Sequence, residues 1–316
     1  MKTSIVIPVM NDRSIYRCLD KLLIYLGNKI KKEREILVVN DVKSSDEFSL
    51  ELKEFCKSKG IKYFRSKVPG APANRNLGMK LSKGKNILFM DSDCYPGENW
   101  INEMEKSLVN SDMVEGKLSY ESKDRPLFDR VIENTSNSLK FLTANFGIRK
   151  EVGKVCKFEE KIIVFREDTD FGLTALEKGF KHSFNEKAEA FHKSSRFTIK
   201  RFVFERKRYV GDALCFKKHK NNPLIKEQIP TFMRIAFPME LLTIILFFVC
   251  IFIKPSILIW IYLFPGTVYC LKKYLIEGRT FKIKDTILVL ILLPLTMFVK
   301  RIAIWRGAIK FRFFLI

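Results

Sequence analysis

Three short apolar runs, each closed at once by carboxylates or carboxamides, constrain this chain more than any other feature. They are "SIVIPVMND", ending at Asn11 and Asp12, "EILVVND", ending at Asn40 and Asp41, and "NILFMDSD", ending at Asp91, Ser92 and Asp93. Apolar runs this short, bounded by turn residues, read as buried strands. Between them the periodicity changes. Ser14 to about Lys31 reads as a helix with Ile15, Cys18, Leu19, Leu22, Leu23 and Leu26 on one face. Further helices are expected near Asp46 to Lys59 and Ala73 to Leu81, with a strand at "IKYFRS" between them. Strands alternating with helices imply an α/β fold, Rossmann-like, with a mostly parallel sheet and right-handed crossovers. In such sheets ligands collect beyond the carboxyl ends of the strands. The three polar tips are therefore expected to line one crevice. Any single tip is also an ordinary turn, and a second Asp-x-Asp stands at Asp168-Thr169-Asp170. It is the succession of three tips after three strands that points to a site. Asp91 and Asp93 raise each other's cost of ionisation, so a cation is expected beside them.

The apolar residues are unevenly spread. Beyond about Pro230 come "IAFPMELLTIILFFVCIFI", "ILIWIYLFPGTVYCL" and "TILVLILLPLTMFV". The first two reach the roughly 20 residues a bilayer requires; the third is shorter and interrupted by Pro294. This divides the chain into a catalytic-sized domain over 1–215, a linker over 216–234 and a membrane region over 235–316. Spans are expected over about 235–253 and 255–272. A third segment, 286–304, re-enters or lies in plane, because a third full span would place the basic tail on the wrong side. Thr3 to Val9 is too short for a secretory h-region, so the catalytic domain is expected in the cytosol, anchored to the membrane. The seven cysteines show no paired spacing and read as free thiols.

The net charge is +22, from 57 Lys and Arg against 35 Asp and Glu. No zinc-finger spacing, aromatic RNA-binding motif or helix-turn-helix punctuation accompanies it, so nucleic acid is not the expected partner. Anionic membrane lipids are, since juxtamembrane Lys and Arg bind them. Phe197, Arg201, Phe204 and Arg208, followed by Tyr209, mix aromatic and basic groups at helical spacing. They are expected to form an interfacial helix over about 196–215, with a solvated basic face as the plainer reading.

From Ser4 to about Leu214 the chain resembles the family 2 glycosyltransferases. The resemblance rests on the three tips, on "GAPANRNLGMKL", on "TANFGIRKEV", on "FREDTDFGL" and on "AEAFHKSS", in that family's order. It implies a GT-A fold, a nucleotide-diphosphate-sugar donor, Mg²⁺ or Mn²⁺, and inversion at the anomeric carbon. It places Pro8, Asn11, Asp12, Asp41, Arg75, Asp91, Ser92, Asp93 and Asn145 around the nucleotide sugar, and Arg206 or Arg208 near the leaving diphosphate. It makes Asp91 and Asp93 metal ligands, and Asp168, with Glu167 beside it, the catalytic base. His192 matches a histidine that in some members reaches the metal or diphosphate, with a structural histidine packed at the strand end as the alternative reading. Asn40 and Val42 depart from the family's aspartate and glycine. The chemistry agrees: a departing diphosphate needs positive charge, and an attacking hydroxyl needs a base. A lipid-phosphate acceptor would need none, and Asp168 would then position the acceptor.

The expected function is a membrane-anchored transferase acting on a lipid-linked acceptor, either polyprenyl phosphate or a lipid-linked oligosaccharide, with room for an oligomer. A processive polysaccharide synthase, which normally has more spans, and an inactive membrane-tethered scaffold remain as alternatives. Nucleotidyl transfer is disfavoured by the lack of a glycine-rich phosphate loop after the first strand.

Overall fold

The computed structural model describes residues 2–27, 33–128, 131–136, 139–162, 165–194, 198–225 and 267–313. Two compact units emerge. The first comprises Met1–Glu121 with Ile132–Lys193, the second Ser122–Val131 with Ser194–Ile316.

The first unit begins with strand β1, Thr3–Val9, every residue of which is buried, as is every residue of β2, Arg34–Asn40. Burial on both faces is what a parallel strand between helix layers requires, and it explains the unbroken apolar runs. Helix α1, Ser14–Leu26, buries Ile15, Cys18, Leu19, Leu22 and Leu26 against the sheet. Helix α2, Asp46–Ser58, starts where the Ser45 hydroxyl accepts the Phe48 N–H. Strand β3, Lys62–Arg65, helix α3, Ala71–Leu81, and strand β4, Asn86–Phe89, complete the parallel half. Its strands lie in the order β3-β2-β1-β4, with Val9 opposite Asn40 and Val6 opposite Phe89. Helix α3 reaches β1 closely because residue 78 is glycine: a Cβ there would meet Val6 Cγ1 at 2.2 Å. Gly78→Val should therefore destabilise the domain by about 1–3 kcal/mol through overpacking, read as a lower urea midpoint at unchanged slope.

The other half of the sheet departs from expectation. Strands β5 (Cys94–Pro96), β6 (Met113–Tyr120), β7 (Phe146–Arg149) and β8 (His182–His192) extend it in the order β4-β7-β6-β8-β5. Only β6 and β8 run parallel there; β7 is antiparallel to both neighbours and β5 to β8. The sheet is thus mixed, with its parallel half matching the expected fold. Helices α4 (Trp100–Ser107), α5 (Lys150–Val155) and α6 (Glu167–Glu177) pack between these strands in sequence.

The second unit contains α7 (Ile199–Phe204), a 3₁₀ helix (Glu205–Gly211), α8 (Asp212–Lys218), a helix over 267–275, and α9 (Ile283–Phe311). Its core joins Leu127, Phe128, Phe202 and Val203 to Cys270, Val289, Leu293 and Val299. The division therefore falls after Lys193, not near 215. Phe202 and Val203 have their apolar partners on the C-terminal helices, so the basic segment belongs with them. The spans expected over 235–253 and most of 255–272 lie outside the described residues, as do the linker from 226 onward and Phe197. Among the described residues no single helix is long and apolar enough to cross a membrane. Only the two parts of α9, Ile283–Leu293 and Leu295–Phe311, meeting at 43°, pass that test together. Pro294 between them lacks the N–H that a continuous helix would use. The six described cysteines are all free and buried.

Candidate active site

The three polar tips meet because β2, β1 and β4 are adjacent and in register. Asn11 adopts a left-handed backbone (φ 50), which asparagine tolerates better than most residues. This lets its side-chain oxygen accept the Ser45 N–H at 2.9 Å, tying the first tip to the second. Asp12 Oδ1 accepts the Ser14 N–H at 2.9 Å and starts α1, while its Oδ2 accepts from Ser92 Oγ at 2.8 Å, tying the first tip to the third.

Asp91 and Asp93 then face different partners. Arg75, on α3, donates to Asp91 Oδ1 at 2.8 Å and to Glu167 Oε1, on α6, at 3.3 Å. Its guanidinium lies 5.6 Å from the Phe158 ring centroid and its side chain is only 4% exposed. Burial opposes its charge, but the Asp91 and Glu167 carboxylates outweigh this and hold the guanidinium above its ordinary pKa. Asp93 Oδ2 lies 3.5 Å from His192 Nε2. The pairing of β5 with β8 brings them together, since Cys94 sits opposite His192. His192 Nδ1 is 2.9 Å from the Lys193 carbonyl, which can only accept, so Nδ1 carries a proton and Nε2 is left to face the carboxylate.

This donor set fits a divalent cation. Asp93, Cys94 and His192 bring a carboxylate oxygen, a thiol and an imidazole nitrogen within 4.8 Å of one another, and the carboxylate and imidazole suit Mg²⁺ or Mn²⁺. Cys94 Sγ is nearby, 3.7 Å from Asp93 Oδ1, but burial first and then Asp93 and Asp91 push its thiol well above the ordinary range. A thiol is a soft donor that suits Mg²⁺ or Mn²⁺ less well than a carboxylate does.

Glu167 and Asp168 open α6, immediately after Arg166, a non-glycine residue at φ 77. That left-handed turn is sterically costly for arginine and sets the direction in which the helix leaves. Burial raises the Glu167 pKa, with Arg75 opposing. Half-buried Asp168 is pushed up to about 8, by burial first and by the Glu167 charge second, and its Oδ1 accepts the Thr169 N–H at 2.8 Å. A carboxyl held this high is suited to receiving a proton.

Several expected contacts are arranged differently. Asn145 is not available to a nucleotide. It is 1% exposed, its oxygen accepts the Trp100 indole N–H at 2.6 Å, and its amide donates to the Lys117 and Ala188 carbonyls at 2.7 and 2.9 Å. Asn145→Ala would leave these groups buried and unsatisfied, at about 1–3 kcal/mol each. The expected result is a protein several kcal/mol less stable in urea whose folded fraction keeps its affinity for donor. Pro8 lies buried within β1 and shapes the strand without offering a polar group. The Asp41 carboxylate braces the loops: Oδ1 accepts the Lys43 N–H at 2.8 Å, and Oδ2 accepts the Gly70 N–H at 2.6 Å and Asn74 Nδ2 at 3.4 Å. Contact between this carboxylate and a base would compete with those bonds.

Asn40 is explained locally. It donates to Ser49 Oγ and Tyr63 Oη, both at 2.9 Å, which an ionised aspartate could not do. Val42 has no positive φ, so no glycine is needed there. Arg206 and Arg208 lie on the 3₁₀ helix of the second unit, where Arg208 donates to Glu205 at 2.9 Å. The double role of Arg75 was not legible in the sequence, because Glu167 is 92 positions away.

The family model for glycosyl transferase family 2 matches residues 4–158, from β1 to the loop that sets Phe158 against Arg75. The chain is similar to that family over this stretch, which is just under half of its length. Asp168 and His192 lie beyond the matched stretch. A poly(ribitol-phosphate) beta-glucosyltransferase of Bacillus spizizenii is 40% identical over 129 residues, covering 37% of this chain and 19% of that protein. An uncharacterized glycosyltransferase of Rickettsia bellii is 34% identical over 125 residues, covering 39% of this chain and 17% of its own length. The match thus spans less than a fifth of either relative. Among solved structures, S. aureus TarS 1-349 superposes with a TM-score of 0.55 at 17% identity, covering 99% of this chain and 91% of that one. That likeness shows the glycosyltransferase fold. The same TarS fragment has been solved with UDP and with UDP-GlcNAc, and a further structure of this fold, GalNAc-T7, with UDP, GalNAc and Mn²⁺.

Proposed function

We propose that this glycosyltransferase domain moves a sugar from a nucleotide-diphosphate sugar to an acceptor carried on a lipid, at the cytosolic face of a membrane. The observation that carries the reading is the fork of Arg75. It links Asp91, on the side expected to meet the diphosphate, to Glu167 beside Asp168, on the side expected to meet the acceptor. The acceptor hydroxyl oxygen attacks the anomeric carbon, the bond from that carbon to the diphosphate oxygen breaks, and the hydroxyl proton passes to Asp168. Attack opposite the leaving group inverts the anomeric centre. Arg75 holds Asp91 and Glu167 in place throughout. Asp91, Asp93 and His192 would hold Mg²⁺ or Mn²⁺, which when bound supplies the positive charge that a departing diphosphate needs.

A second acceptor is favoured by the relatives. Besides the Bacillus protein, the S. aureus poly(ribitol-phosphate) beta-N-acetylglucosaminyltransferase TarP is 26% identical over 140 residues, covering 42% of this chain and 41% of that protein. A polyol-phosphate polymer presents free hydroxyls beside fixed negative charge, which suits both Asp168 as base and a chain of net charge +22.

The test is nucleotide release by the detergent-solubilised protein across a panel of sugar nucleotides with Mn²⁺ or Mg²⁺. Each donor is offered with polyprenyl phosphate, with a lipid-linked oligosaccharide, with poly(ribitol phosphate) or with no acceptor. Metal-dependent release stimulated by one acceptor supports transfer and names the substrate. No release from any donor, with EDTA leaving donor binding unchanged, overturns it in favour of a scaffold.

A further inference from the structure

The second unit concentrates positive charge. Residues 194–316 hold 22 of the 57 Lys and Arg but only 6 of the 35 Asp and Glu, so +16 of the chain's +22 lies there. Its longest described element, α9, is two-faced. Val289, Leu293, Thr296, Val299, Ala303 and Ala308 are buried. Ile287, Ile291, Leu295, Phe298, Ile302 and Trp305 are 38–62% exposed. At about 100° per residue these six fall within an arc of roughly 80°, and they extend for about 27 Å along the helix. Leu275, Ile276 and Phe281 continue the exposed apolar surface before α9 begins. Tyr274 anchors that end, with its ring 5.2 Å from that of Phe281 and its hydroxyl 2.6 Å from Thr286 Oγ1. Exposed Lys284, Arg306 and Lys310 flank the stripe.

We propose that this face of α9 lies flat on an anionic lipid bilayer and docks the second unit there. The packed side of α9 chooses this orientation over a crossing. That side carries a cation of its own beyond mid-helix, and the C-terminal end of α9 is held by a cation of a neighbouring helix. Lys300 Nζ sits 4.8 Å from the Tyr209 ring centroid on the 3₁₀ helix, and residue 307 is glycine because a Cβ would meet the Val210 carbonyl at 2.4 Å. Lys217 Nζ donates to the Phe311 carbonyl at 3.0 Å. Drawing α9 through a bilayer would carry these groups into hydrocarbon, which is costly. Lying flat leaves them on the water side and sinks only the apolar stripe, with the flanking cations at headgroup level. The charge of the unit selects lipid as the occupant, since a second copy of so basic a surface would be repelled. The proposal rests on the membrane part of the function given above and is independent of the transfer chemistry.

Depth measurement tests it in the full chain, reconstituted in vesicles containing phosphatidylglycerol. Ile287→Trp, Ile291→Trp and Phe298→Trp, each made in a Trp305→Phe background, are compared with native Trp305 by quenching with lipids brominated at different acyl positions. Subtracting the Trp305→Phe signal isolates each reporter. All four positions should be quenched most by shallow bromines and to similar depth. Replacing the anionic lipid by phosphatidylcholine, or raising salt, should weaken the quenching several-fold. A deep maximum near 298 with shallow ends would mean that α9 crosses the bilayer. Absence of quenching at every position would mean that this face is covered by another copy, by other parts of the chain, or by water. Either result overturns the proposal. Ile291→Glu with Phe298→Glu should abolish the shallow signal from Trp305 while leaving nucleotide release in detergent unchanged. This separates failure of docking from failure of the transferase reading.

Discussion

Asp168→Asn is expected to lower kcat by about 10²- to 10⁴-fold, the range that a positioned base contributes, while donor KM changes little. The pH dependence of the native enzyme should carry the same signature. Burial and the neighbouring Glu167 push the Asp168 carboxyl up to about 8. Below that value it is protonated and cannot accept the hydroxyl proton. With a hydroxyl acceptor, kcat/KM should therefore rise about tenfold per pH unit and level off above about 8. The folded protein holds a proton that the unfolded chain releases above about pH 4. This group therefore makes stability fall as pH rises from about 4 toward 8. Asp168→Asn removes that slope, so the variant should be inactive yet at least as stable as the native protein near pH 8. A flat pH profile with a polyprenyl-phosphate acceptor would instead identify a nucleophile already ionised, with Asp168 only positioning it. Loss of folding in Asp168→Asn would contradict the assignment of the raised carboxyl.

Asp93→Ala should have an effect of similar size by a different route. It removes a carboxylate from the tip that faces His192 at 3.5 Å. The charge available to a departing diphosphate is worth several kcal/mol. At 1.36 kcal/mol per tenfold, activity should fall by about 10³-fold. The variant should also lose the thermal stabilisation that donor and Mn²⁺ together confer on the native chain, about 2.7 kcal/mol at a hundred times the dissociation constant. Asp93 is partly exposed, so the fold itself should survive. Retained activity with unchanged sensitivity to EDTA would remove Asp93 from the metal site.

The sequence made the parallel half of the sheet readable because its signals are local. β1, β2 and β4 are continuous apolar runs closed by polar tips, and α1 shows its buried face at helical spacing. Asp12, Asp91 and Asp93 could be placed at strand ends from those patterns alone. Glu167 and Asp168 were legible as a pair, together with their resemblance to a family motif. The mixed half was not readable. β5 and β7 have only three and four residues, too few to show a period, and β6 carries buried Glu115 and Gly116 where apolar residues would be expected.

Tertiary structure alone decided which polar residues face a crevice and which are spent on the fold. Asn145 belongs to a motif that resembles the donor site, yet it knits Trp100 to β6 and β8. Arg75 looked like a phosphate ligand, yet it spans two carboxylates whose positions are 16 and 92 residues away. His192 meets Asp93 only through the pairing of β5 with β8. Helical and strand periods report which face of an element is apolar. A buried polar side chain is instead defined by partners that distant elements bring to it, and those partners exist only once the chain has folded.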